Sequence, residues 1–156
     1  MGAGVEIHDR PGYSPEVHDI AYMQLVEACC RDLVGADRVV FHYDTYRTDS
    51  SDFGDITCVM PGIQFHVSGA SGTVHGIDFY VTDPERMCVN AAKAQLFIAD
   101  ALLGDNAAAA RKIIAGYQPA FPSIRAYLDA IDEIFLDKDA IIYVENDSVN
   151  VSFTND

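Results

Sequence analysis

Residues 50–85 read SSDFGDITCVMPGIQFHVSGASGTVHGIDFYVTDPE, a compact run of turn, apolar strand, Gly-rich loop and helix start. Ile63 to Val67 is a β-branched and aromatic stretch bounded by Pro61-Gly62 and Gly69, which predicts a strand. Asp83 precedes Pro84, the pairing of a helix cap with a residue suited to the first helical turn. The loop between them, which carries His75, is therefore bracketed by regular structure. Loops held in this way are where site residues concentrate.

The same reading extends outward in both directions. A short strand is predicted at Val5 to His8, broken by Pro11-Gly12, and Ser14-Pro15-Glu16 predicts a helix start with Val17, Ala21, Leu25 and Ala28 on its inner face until Gly35 ends it. Val39 to Tyr43 predicts a second strand. Helices are predicted from Pro84 to Leu103, with Met87, Ala91, Ala94, Ile98 and Ala101 facing inward, from Asn106 to Ala115, closed by Gly116, and from Pro122 to about Leu136. Ala140 to Val144 and Val149 to Phe153 flank Asn146-Asp147, the turn signal of a terminal hairpin. Helices alternating with short apolar strands predict an α/β fold with an open twisted sheet and packed helices.

Two motifs give the chain a resemblance. Ser50-Ser51-Asp52-Phe53-Gly54-Asp55 followed by Val59-Met60-Pro61 is similar to the S-x-D-F/V-G-D…P segment, and Gly72-Thr73-Val74-His75 followed by Asp83-Pro84-Glu85 is similar to the late metal-histidine loop, of the zinc-dependent aminoacylase and carboxypeptidase superfamily. Within that superfamily the chain resembles the amidohydrolase branch, which includes aminobenzoyl-glutamate and N-acyl-amino-acid hydrolases. The similarity covers roughly residues 3 to 115 and corresponds to the C-terminal half of the zinc exopeptidase catalytic domain. It implies a lid-domain exit strand over residues 1–13, a partial catalytic α/β domain over 14–138 and a hairpin extension over 139–156.

The resemblance also implies a chemistry. His75 would ligate a divalent metal, zinc or manganese, while Ser50, Ser51, Asp52, Gly69 and Gly72 would lie on the substrate side; Asp78 is near enough to His75 in the sequence to accept from its other ring nitrogen. The substrate would be an N-acyl amino acid or small peptide. In the family the remaining ligands and the general-base glutamate come from the N-terminal half, and this chain has no Glu-Glu pair. No catalytic residue is therefore expected here, and the chain is expected to need that missing half, or to cover its apolar face by self-association. The other expectation is a non-catalytic interaction or oligomerisation module that keeps part of the hydrolase fold.

Read without the resemblance, these residues have plainer explanations. A lone His fixes no ligand spacing, an S-S-D-F-G-D cluster makes an Asx-type turn that caps its own backbone, and Gly69-Ala70-Ser71-Gly72 is an ordinary turn. The loop lacks the Lys of a phosphate loop, and Thr73 stands where a nucleophile elbow needs Gly. His66, nine residues from His75, makes a two-histidine site conceivable; His8, His18 and His42 are scattered. Tyr43, Tyr46 and Arg47 precede the turn and are candidates to line a pocket, Arg47 as a carboxylate partner.

Composition narrows the classes further. A chain of 156 residues, 49% hydrophobic, is long and apolar enough for a single packed domain. A net charge of −14, with 24 acidic against 10 basic residues, disfavours nucleic acid and anionic membranes. No apolar run reaches the length of a membrane span and the start carries no signal-peptide pattern, so a cytoplasmic location is expected. Cys29 and Cys30 are adjacent, Cys58 and Cys88 isolated, and no C-x-x-C occurs, which predicts reduced thiols.

Overall fold

The computed structural model describes residues 5–43, 51–139, 141–144 and 148–151. In chain order these form β1 (Glu6–Asp9), α1 (Ile20–Val34), α2 (Asp52–Thr57), β2 (Ala70–Ser71), β3 (Tyr80–Val81), α3 (Asn90–Gly116), α4 (Ile124–Ile134), β4 (Leu136–Asp139), β5 (Ile141–Val144) and β6 (Ser148–Val151). The fold mixes helices with small sheets, as the alternation of patterns predicts. Its described strands pair only as three two-stranded antiparallel ladders, β1 with β4, β2 with β3 and β5 with β6.

The expected strands at 39–43 and 63–67 join none of these ladders. Their burial nevertheless alternates as a strand's does: Val39, Phe41, Ile63, Phe65 and Val67 are half-buried, and Val40, His42, Gln64 and His66 are exposed. Phe41, Ile63 and Phe65 pack against the core of Val26, Cys29 and Ile98. The apolar side chains fix the period-2 pattern, but a ladder also needs a neighbouring strand to exchange N–H and C=O bonds. Among the described residues, no such neighbour lies along either segment.

α1 begins at Ile20, not at Pro15. Asp19 caps it, its carboxylate accepting from Tyr22 N–H at 2.8 Å. The residues before it are engaged elsewhere: Ser14 N–H donates to Asp55 Oδ1 at 2.8 Å and Val17 N–H to Thr57 Oγ1 at 2.9 Å. Gly35 ends the helix at φ 93°, its N–H reaching Arg31 C=O at 2.9 Å. The buried face is Met23, Val26 and Cys29, whereas Ala21 and Ala28 of the predicted face are exposed. α3 packs on that side and decides the register.

The start of α3 follows the sequence closely. Asp83 Oδ1 accepts from Arg86 N–H at 2.9 Å, a π-helical turn spans Glu85–Val89, and Ala94 and Ile98 are buried with Met87, Ala91 and Ala101 half-buried. Residues Gly104 to Ala107 leave helical geometry, with Asp105, Asn106 and Ala107 left-handed. That break falls between the two predicted helices. Ser123 caps α4 through Ala126 N–H, and β5 and β6 are the predicted hairpin, whose Asn146-Asp147 turn lies outside the described residues.

Candidate functional site

The His75 loop is a hairpin closed at its base by β2 and β3, where Ala70 faces Val81 and Ser71 faces Tyr80. Inside it, Gly76 N–H donates to Thr73 C=O at 2.7 Å and Phe79 N–H to Gly76 C=O at 3.2 Å. Asp78 Oδ2 accepts from Thr73 N–H at 3.1 Å and from Thr73 Oγ1 at 3.2 Å. Asp78 thus holds the loop together and is not bonded to His75, the role expected for it. Its carboxylate serves nearer donors within the turn.

Gly69 and Gly72 are glycines for steric reasons that the structure makes explicit. A Cβ on Gly69, at φ 134°, would stand 2.7 Å from Asp83 C=O and from Met87 Cβ; one on Gly72, at φ 99°, would stand 2.1 Å from Asp78 C=O. Gly69 C=O also accepts from Thr82 and Asp83 N–H, at 2.8 and 3.0 Å. Gly69 therefore lets the base of the hairpin close onto the start of α3, and Gly72 lets the loop close on itself at Asp78.

His75 is presented differently. It is exposed, its backbone lies at φ 64°, and its ring makes no hydrogen bond to any described residue. A non-glycine residue in the left-handed region costs about 1 kcal/mol or more and is held there by its surroundings, here the Asp78–Thr73 and Gly76–Thr73 bonds. Among the described residues no group of three or more His, Cys, Asp or Glu side chains converges as a metal cage. His75 joins no such group, and His66, exposed on the opposite side of its segment from Ile63 and Phe65, joins it in no cluster among the described residues.

The S-S-D-F-G-D turn has a clear mechanical role. Ser51 precedes α2, and its hydroxyl donates to Glu16 Oε1 at 2.9 Å; Glu16 Oε2 meets His18 Nε2 at 3.1 Å. Asp52 is exposed in the first turn, while Ser50, Tyr46 and Arg47 lie outside the described residues. Gly54 is buried so tightly against Ser14 that a Cβ would stand 1.8 Å from its carbonyl oxygen. Asp55 accepts from Ser14, and Thr57, fully buried, accepts from Val17 and donates to Gly54 C=O at 3.0 Å. Tyr117 OH donates to Thr57 C=O, and Phe121 N–H to Cys58 C=O at 3.1 Å. Burial raises the Tyr117 and Tyr127 phenols above their ordinary pKa, Tyr127 further through its bond to Asp55.

Sequence reasoning missed Glu16, Thr57, Tyr117 and Tyr127, because no residue pattern announces a buried hydroxyl that bonds a distant backbone. It also took H-x-D at a strand end to be absent, whereas His42-Tyr43-Asp44 at the end of the expected 39–43 strand has that spacing; His42 is exposed and Asp44 lies outside the described residues. Tyr43 is engaged with α1 among the described residues. Its hydroxyl donates to Glu27, which Arg31 also bonds at 2.6–2.8 Å, and this hydrogen bond and then Arg31 lower the Glu27 pKa.

A cavity of about 300 Å³ lies between α1, the 63–65 segment and α3, lined by Tyr22, Ile63, Phe65, Ile98, Ala99 and Leu102 among others. Its wall is mostly apolar, with Gln95 also on it, and includes none of Ser51, Asp52 or His75. Cys29 and Cys58 are buried, Cys30 is half-buried and Cys88 exposed, all free; burial raises the Cys29 and Cys30 thiols above their ordinary pKa. No described helix is long and apolar enough to cross a membrane. Compared with known proteins, the chain matches no family model, no curated protein and no solved structure.

Proposed function

We propose that the chain is the C-terminal part of a metal-dependent amidohydrolase acting on an N-acyl amino acid or small peptide, contributing His75 to a metal site that other residues complete. The observation that carries this reading is His75 itself: an exposed imidazole without a described partner, fixed at φ 64° by a loop whose other polar groups bond one another. Strained residues at loop tips gather at functional sites because the fold must maintain them against their own preference. The strand-like segments at 39–43 and 63–67 add support, since they pack on the core yet join no ladder among the described residues.

A divalent ion, zinc or manganese, would supply Lewis-acid activation of a water and an amide carbonyl. What the chain's own residues do is narrower. His75 offers one ring nitrogen, Gly72 lets the loop close on Asp78 and Gly69 lets its base pack on the start of α3, and Ser51, tied to Glu16, and Asp52 sit at the mouth of α2 as substrate-side groups. No described group is assigned as general base.

The runner-up reading, a non-catalytic module retaining part of the hydrolase fold, draws on a specific finding. Gly54, Asp55, Gly69, Gly72 and Asp78 all have structural work that explains their identity without chemistry. Zinc and manganese content, with hydrolysis of aminobenzoyl-glutamate and N-acetyl amino acids, tests the choice on the purified chain and His75→Ala. The proposal expects weak metal binding that the variant loses and no turnover by the chain alone. Metal binding unchanged in the variant favours the module, and robust turnover by the chain alone overturns the claim that its site is incomplete.

A further inference from the structure

α4 carries Ile124, Leu128 and Ile131 at i, i+4 and i+7, and Phe135 continues the row at i+11. That 4-3-4 spacing is the seam of a two-helix coiled coil. Most of the seam is open: Ile124 is 65% exposed and Leu128 47%, with Ile131 half-buried, while Phe135, 43% exposed, carries the Arg10 guanidinium over its ring at 4.9 Å. The helix rests on the molecule by its other apolar side, through Ala126, Tyr127 and Ala130, with Tyr127 edge-on to Phe121 at 5.4 Å.

The charges beside the seam specify its occupant. Arg125 follows Ile124 and Asp132 follows Ile131, so the two occupy the same heptad position on one flank, at opposite ends of the row. When two copies of such a helix lie antiparallel about a two-fold axis, that flank of one faces the same flank of the other in reverse order. Arg125 of each copy then meets Asp132 of the other, and Leu128 of each meets Ile131 of the other. An isologous interface requires this kind of self-complementarity. A parallel arrangement would set this flank against the opposite flank of the partner helix, so Arg125 would not meet Asp132.

We propose that α4 is an antiparallel self-association seam through which two copies of this chain pair, with reciprocal Arg125–Asp132 contacts closing it. Arg125 is free to make them: its side chain is 82% exposed and its Asp129 pair at 2.9 Å is a surface pair that re-partners easily. Three helical turns make a small interface, and the protomer's charge of −14 opposes association at long range, so the dimer is weak, on the order of 0.1 mM. The seam shares no residue with the groove beside Ile63 and Phe65, and the proposal does not rest on the hydrolase reading.

Sedimentation equilibrium of the full chain from about 10 μM to about 1 mM tests it. Wild type is expected to dimerise reversibly, Arg125→Asp and Asp132→Arg each to weaken the dimer about tenfold, and the double charge swap to restore it. All three changes are on exposed positions, and circular dichroism confirms that helix content is kept. A chain monomeric throughout, a dimer indifferent to the single changes, or a double variant no better than the singles overturns the proposal.

Discussion

Gly54→Ala distinguishes a clamp from an ordinary helical glycine by the sign of its effect. In an open helix the change stabilises by about 1 kcal/mol, because glycine is the poorer helix former. At this position the new Cβ would stand 1.8 Å from the Ser14 carbonyl oxygen and 2.8 Å from its carbon. Both are backbone atoms, so no side-chain rotation gives relief, and the segments need to part by more than about 1 Å to reach ordinary contact. Movement on that scale breaks the 2.8 Å bond from Ser14 N–H to Asp55. Losing a bond to a carboxylate costs about 1.5–3 kcal/mol and overpacking about 1–3 kcal/mol. Set against the helix gain, the net loss is roughly 3 kcal/mol, or about 6–12 °C in Tm for a chain of this length. Thermal and urea unfolding followed by circular dichroism measure it. A Tm equal to or above that of the parent would refute the clamp and return the S-S-D-F-G-D turn to the surface.

Thr57→Val keeps the shape of a fully buried side chain but orphans Val17 N–H, so stability falls by about 1–2 kcal/mol in urea titration, and an unchanged midpoint contradicts the bond. His8, opposite Asp137 in the β1–β4 ladder at 2.7 Å and also near Glu6, has its pKa raised from 6.5, chiefly by the Asp137 bond, while Asp137 is lowered from 3.8 by the same bond and then by Arg10. The clasp is therefore fully formed below 6.5, weakens as pH rises through the raised His8 value, and is also lost as pH falls through the lowered Asp137 value. Protection of the β1 and β4 amides, taken relative to their intrinsic exchange rates, should be greatest from about pH 4 to pH 6.5 and lose that dependence in Asp137→Asn; protection independent of pH in the parent counts against it. His75→Gly should raise stability by about 0.5–1 kcal/mol by removing left-handed strain, and a loss of more than that size means the ring packs in a way the loop does not show.

Much of the helical architecture was legible because local chemistry controls it. Gly35, Asp83 and the gap before Asn106 mark helix ends through backbone geometry and capping, and the structure places breaks at each. The start of α1 was misread because Ser14-Pro15-Glu16 is a good local signal overridden by a distant one, the α2 groups that take the Ser14 and Val17 amides. The sheet was less legible for a related reason: Ile63 to Val67 has a strand's pattern, but pairing is a property of two segments. Around His75 the sequence showed the Gly-rich loop but not the division of labour within it. Asp78 looked like a partner for the histidine, and only the folded turn shows that Thr73 has it.

Zinc titration followed at the histidine ring resonances tests the central claim most directly. His75 has no described partner, whereas both nitrogens of His8 face carboxylates and His18 is tied to Glu16. If the loop exists to present a metal ligand, the His75 ring and the amides of residues 72–79 respond first and together, and His75→Ala abolishes the response of the loop. A loop that stays unmoved at saturating zinc while other histidines shift would contradict the account.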